Sequence, residues 1–170
     1  MTFLDLARAG LMTAVVFVVT RSFVLPIPQT KGFFNLGEAG IYVAALLFGP
    51  VVGALSGGVG SALADLSLGY AQYAPFTFVI KGLEGAVVAL VARRLRSGSR
   101  RGSLAGRLVG TVVGGLLMVS GYFLTQAYLL GLGPLAALTE VPYNIVQMVV
   151  GIAAGLAVAA GVERTVPGVV

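Results

Sequence analysis

Apolar residues run along the chain in long stretches separated by short polar, glycine- or proline-rich breaks, and the lengths of these stretches predict helices rather than strands. The first covers about residues 4–25 and is interrupted by Arg8 and Arg21, each close enough to an end for its side chain to reach lipid headgroups. It is long enough to span a bilayer, which takes about 20 apolar residues. Asp5 and the lack of a small-x-small site before Pro26 speak against a cleaved leader. The segment from Pro26 to Asn35 holds two prolines and a glycine, so it cannot continue a helix and reads as an elaborate first loop. Further helices are predicted over about 36–48, 51–68, 75–92, 104–130 and 141–162, within a single domain of residues 1–170. The second is short for a span and ends at Gly49-Pro50. Gly53, Gly57, Gly58, Gly60, Ser61 and Ala64 give the third a run of small residues that lets other helices approach closely in lipid. The fold class expected is therefore all-α, an integral membrane bundle of six transmembrane helices.

Composition agrees with the pattern. Of 170 residues 58% are hydrophobic and 10% charged, with mean hydropathy +0.99. An ordinary soluble domain carries about 25% charged residues. No Cys and no His are present, which excludes disulfides, thiolate or imidazole metal sites, and the catalysis that depends on either side chain. No metal and no cofactor are expected. The net charge of +5 is concentrated: Arg93, Arg94, Arg96, Arg100, Arg101 and Arg107 all lie in or beside the loop between the fourth and fifth helices. The positive-inside rule makes that loop cytoplasmic, and an even number of spans then puts both termini on the same side. Topology accounts for the basic cluster, so nucleic acid is not expected as a partner.

Polar side chains inside an apolar bundle are costly, so their depth is informative. At 1.5 Å per residue, Lys81 lies about 9 Å inside Pro75, and Glu84 one turn deeper. Gln126 lies about 6 Å below the outer end of the fifth helix, and Asn144 and Gln147 about 5–9 Å inside the sixth. Glu38, Asp65 and the tyrosines Tyr70, Tyr73, Tyr122 and Tyr143 belong to the same outer half. The inner half is almost purely apolar apart from its basic rim. This asymmetry describes a pocket open outside and sealed below, suited to a small polar aromatic ligand. Single residues admit plainer readings. Lys81 and Glu84 at i, i+3 would neutralise one another, Glu38 reads as a helix N-terminal charge favoured by the dipole, Asn144 and Gln147 serve as interhelical glue, and the tyrosines as interfacial anchors. Their convergence at one depth favours a site, with the loop around Asn35 as its lid.

Catalytic motifs are absent. Gly58-Val-Gly60 resembles the start of a dinucleotide fingerprint but sits within a span, and neither a P-loop nor a Gly-x-Ser-x-Gly elbow occurs. An enzyme is not expected. A self-sufficient permease or channel is the alternative, and a purely structural assembly factor is disfavoured by the outer polar cluster.

Five segments carry a family resemblance: Phe34-Asn-Leu-Gly-Glu, Leu47-Phe-Gly-Pro, Gly57-Gly-Val-Gly-Ser-Ala-Leu-Ala-Asp, Gly69-Tyr-Ala-Gln-Tyr-Ala-Pro-Phe-Thr and Lys81-Gly-Leu-Glu-Gly. Pro142-Tyr-Asn-Ile-Val-Gln fits as well. The chain resembles the substrate-binding S component of an energy-coupling factor (ECF) transporter, in the branch with riboflavin-type and vitamin-precursor members. The resemblance implies a multi-pass protein of a bacterial-type cell membrane that binds a hydroxymethylpyrimidine-, pyridoxine- or riboflavin-like ligand at its outer face. It also implies partners, a transmembrane coupling subunit and two ATPase subunits, and toppling of the S component to carry the ligand across. Docking in the family uses small residues at four-residue spacing on the first helix, which here matches Ala9 with Thr13 and Gly10 with Ala14. Glu84 looks like a ligand-contacting position of the fourth helix, and Asn144 like one of the sixth.

Overall fold

A computed structural model describes residues 2–95 and 103–166 of the chain. Arg96, Arg100 and Arg101 of the basic loop lie outside the described residues. The chain forms α1 (Phe3–Ser22), a two-stranded hairpin of β1 (Leu25–Ile27) and β2 (Gly32–Phe34), α2 (Gly37–Phe48), α3 (Pro50–Leu68), α4 (Ala74–Arg94), α5 (Leu104–Leu124) and α6 (Pro134–Thr165). A single π-helical turn, Thr125–Leu129, extends α5. Five helices are long and apolar enough to cross a membrane, whereas α2 has 12 residues and is too short. Of the six helices expected as spans, five are thus long enough to cross and α2 is not.

Each element follows from its local chemistry. Thr2 and Asp5 form a reciprocal capping box at the start of α1. Pro50, Pro75 and Pro134 sit in the first turns of α3, α4 and α6, where a missing N–H costs nothing. Gly49, at φ +98°, makes the abrupt α2–α3 turn. α1 ends three residues earlier than the apolar run suggests, because Leu25, Pro26 and Ile27 pair with Phe34, Phe33 and Gly32 in an antiparallel ribbon. The expected irregular loop is therefore a hairpin. α2 does not extend back into it, since the Asn35 side chain accepts from the Gly37 N–H at 2.8 Å and starts the helix there.

The largest departure is α6, which begins at Pro134 rather than near residue 141. Gly133, at φ 84°, and Pro134 form the helix start, and Pro142 lies inside. The interior proline leaves one carbonyl without its helical partner, a loss tolerated in membrane helices packed against neighbours.

α3 packs most extensively on α4, then α4 on α5, α1 on α3 and α2 on α6. The α3–α4 crossing is close: a β-carbon at Gly57 would lie 2.6 Å from the Lys81 carbonyl oxygen. Only glycine permits that approach, and it fixes Lys81 against α3. Inside the bundle Val16, Ile41, Tyr42, Ala45, Val88 and Ala89 form one apolar cluster. At the end of the bundle away from the hairpin Arg107 and Glu163 tie α5 to α6 at 2.6 Å, and the Arg8 guanidinium stands 5.2 Å over the Phe48 ring.

Candidate functional site

Three helices bring polar side chains to one place by the same arithmetic. Thr77, Lys81 and Glu84 on α4 follow i, i+4, i+7, as do Glu140, Asn144 and Gln147 on α6, while Ser61 and Asp65 on α3 follow i, i+4. Each set is one helical face, and all three faces turn inward beneath the hairpin.

The floor is an ionic cluster. Lys81, 2% exposed, is ion-paired with Glu38 of α2 and lies 3.3 Å from Glu84. The Tyr42 hydroxyl donates to Glu84 at 2.9 Å, and Gln147 Nε2 donates to Glu38 at 2.7 Å. Both carboxylates are fully buried. Glu38 does stand in the first turn of α2, as its plain reading has it, and its side chain also reaches across to α4 and α6. Lys81 and Glu84 do neutralise one another in part, and Glu38 completes the arrangement. The Lys81 ammonium also faces the Tyr122 ring, 5.5 Å from its centroid.

Above this floor lies a cleft walled by Asp65, Tyr73, Lys81, Tyr122, Asn144 and Gln147, with Glu140, Asn35 and Phe33 towards the hairpin. It encloses about 410 Å³ counting its mouth, but a water molecule's centre can reach only about 20 Å³ of it. That is room for about one water, so a ring-sized ligand enters only if the roof lifts. The hairpin roof is held at both ends. At its tip, Thr30 donates to Glu140 and its carbonyl accepts from the Tyr73 hydroxyl at 2.5 Å. At its base, the Asn35 N–H donates to Gln147 Oε1 at 2.8 Å. Gln147 thus joins lid to floor in one side chain.

Of the residues expected at a site, Lys81, Asn144, Gln147, Asn35, Tyr73 and Tyr122 meet around the cleft. Glu84 stands one layer down, behind Lys81. Gln126 is fully buried beside Tyr73 and Glu140, with neither amide atom in a well-formed hydrogen bond. The π-helical turn, which opens at Thr125, places it there. Tyr143 is not brought in: it is 48% exposed on the outer surface of α6, one residue off the 140/144/147 face. On α1, Ala9 points inward and packs with Met12, Val43 and Leu47. Gly10, Thr13 and Ala14 instead line a shallow outward groove with Phe17 and with Leu63 and Leu66 of α3.

The residues that depth estimates missed are Glu140, Thr77 and Thr30. Starting the sixth helix at residue 141 put Glu140 in a loop, whereas its spacing from Asn144 and Gln147 was the signal that could have found it. Thr30 acts through a hairpin contact that no periodicity encodes.

The profile of the family described as "ECF-type riboflavin transporter, S component" matches residues 1–164. A protein from Lactococcus lactis subsp. cremoris (strain MG1363) named "Thiamine precursor transporter HmpT" is 31% identical over 161 residues, 94% of this chain and 88% of its own. An uncharacterized Pyrococcus woesei protein is 45% identical over 140 residues, 82% of this chain and 88% of its own. Among solved structures, one reported as the S component of a bacterial ECF transporter superposes with a TM-score of 0.69 at 20% identity, covering 96% of this chain and 97% of that one, which speaks to the fold. A profile that follows the chain almost end to end, together with a relative above 30% identity along 94% of it, makes the protein a member of the ECF-type riboflavin transporter S-component family, a multi-pass transport subunit rather than an enzyme.

Proposed function

We propose that this S component binds a small, flat heterocyclic vitamin or vitamin precursor in the cleft under the β1–β2 hairpin and delivers it inward with energy from partner subunits. The observation that carries this is the sealed polar cleft itself. Lys81, Asn144 and Gln147 stand on its wall with aromatic rings around them, and the bundle below is apolar. The family profile names riboflavin and the Lactococcus relative a thiamine precursor, and both are served by a site of stacking rings and amides. Lys81, Asn144, Gln147, Tyr73 and Tyr122 are the contacts, with Glu84 acting through Lys81, Gln126 behind Tyr73, and Asn35 anchoring the lid. Tyr143, on the outer surface, serves as an interfacial anchor.

The side of the membrane follows from charge. Arg93, Arg94 and Arg107 flank the loop between α4 and α5, which puts that loop and both termini inside and the hairpin outside. A transmembrane coupling subunit docks on the groove of Gly10, Thr13 and Ala14, where small residues allow helices to meet closely. Two ATPase subunits on its inner face supply the energy.

The test is mass spectrometry of small molecules released from protein purified in mild detergent, beside an Asn144→Leu variant with unchanged circular dichroism. A stoichiometric heterocycle with the wild type, lost in the variant, is expected. A panel of vitamins and precursors that neither co-purify nor raise the melting temperature would overturn the reading. Uptake into liposomes containing this chain alone would favour a self-sufficient permease.

A further inference from the structure

The charged and hydrogen-bonding groups around the cleft are unequally supplied. Four buried carboxylates, Glu38 on α2, Asp65 on α3, Glu84 on α4 and Glu140 on α6, share this region with Lys81, the one buried ammonium among the described residues. Lys81 is already committed, held between Glu38 and Glu84. Several other donors on the wall are committed too. Gln147 Nε2 donates to Glu38, Tyr73 to the Thr30 carbonyl, and Tyr122 to Thr77 at 3.0 Å.

What is left over, apart from the Gln126 amide, is mainly acceptor. Asp65, 4% exposed, lines the cleft, and its Oδ2 has no hydrogen-bond partner. Glu140, also 4% exposed, has the Thr30 hydroxyl on one oxygen. The one cation that lines the cleft with them, Lys81, is ion-paired with Glu38, and Lys31, at the hairpin tip, is exposed. Buried carboxylates without a partner are strongly unfavourable, so a ligand that brings positive charge or N–H donors gains by relieving them. A phosphate or carboxylate on the ligand would instead add to the excess of acidic groups and would find the Lys81, Gln147, Tyr73 and Tyr122 donors already engaged.

We infer that the cleft selects its ligand by charge: it takes a heterocycle that presents a cationic or N–H-rich edge to Asp65 and Glu140, and it rejects the same compound once phosphorylated. The inference rests on the reading that a heterocycle occupies this cleft. It adds that Lys81 is no anion handle, although an isolated lysine in a binding site invites that role.

Matched pairs on the wild-type protein in detergent test it without any variant. Isothermal titration would compare 4-amino-5-hydroxymethyl-2-methylpyrimidine with its monophosphate, and riboflavin with its 5′-phosphate. For whichever parent binds, the phosphorylated partner is expected to bind at least tenfold more weakly. A smaller gap overturns the charge inference and leaves the heterocycle reading intact, whereas binding by none of the four compounds brings down that reading. Asp65→Asn and Glu140→Gln, once shown to be folded, should each weaken the parent and narrow its gap to the phosphate. An unchanged gap in both variants also overturns the inference.

Discussion

Replacing Lys81 by Met tests the ionic floor directly. In the wild type, one ammonium stands between two fully buried acidic groups, ion-paired with Glu38 and 3.3 Å from Glu84, so two acidic groups share one cation. Lys81→Met keeps the volume but leaves both without it, supported only by the Tyr42 hydroxyl and the Gln147 amide. Removing one member of a buried ion pair costs about 3–5 kcal/mol. For a chain of this size each kcal/mol shifts the melting temperature by about 2–4 °C, giving a loss of about 6–20 °C. Glu38→Gln acts in the opposite sense, since it leaves Lys81 and Glu84 as a one-to-one pair, and it should cost less than half as much. Adding Glu38→Gln to Lys81→Met should recover part of the loss, because a single carboxylate then remains. Far-UV circular dichroism melts in dodecyl maltoside are the assay, as the chain has no Trp to report by fluorescence. If Lys81→Met melts with the wild type, or Glu38→Gln proves as damaging, the electrostatic account of the floor is wrong.

Four further outcomes are expected. Gly57→Ala should force α4 away from α3 at Lys81, costing about 1–3 kcal/mol as overpacking and weakening ligand binding with it, and an unchanged melt would disprove the close crossing. Tyr73→Phe removes the hydroxyl that holds the hairpin tip, a bond worth about 1 kcal/mol, so stopped-flow measurements should show ligand leaving about fivefold faster. Because the chain lacks cysteine, single Cys substitutions report topology cleanly: a membrane-impermeant maleimide should label Lys31→Cys in intact cells and Arg94→Cys only after lysis. Ala14→Trp fills the groove on α1 and should abolish co-purification with the coupling subunit while ligand affinity stays within twofold; co-purification that survives would move the docking face elsewhere.

The long helices were legible because apolar runs of span length have few alternatives, and the outer polar half was legible because ionisable residues at depth are rare. Lys81, Asn144 and Gln147 could be picked out this way, one helix at a time. What periodicity could not give was company. Glu38 reaches Lys81 only because α2 docks between α4 and α6, a tertiary fact that left its plainer reading as a helix-start charge equally consistent with sequence. The start of the sixth helix failed: Gly133-Pro134 begins it, and placing it near residue 141 removed Glu140 from view. The hairpin escaped because its strands are three residues each, below the length at which alternation is readable. The π-helical turn has no compositional mark at all, yet it contains the fully buried Gln126.

The shortness of α2 has a consequence for how such a protein changes its ligand. Its 12 residues reach about 18 Å, against a hydrocarbon thickness of about 30 Å. About two turns' worth of membrane depth is thereby left to the hairpin and the cleft beneath it. The hairpin in that column is separate from the five long helices that hold the bundle together and whose side chains wall the cleft. Residues 25–34 could be exchanged for others of different reach while the long helices keep their contacts, making the roof of the cleft an adjustable cover on walls and a floor that belong to the constant frame.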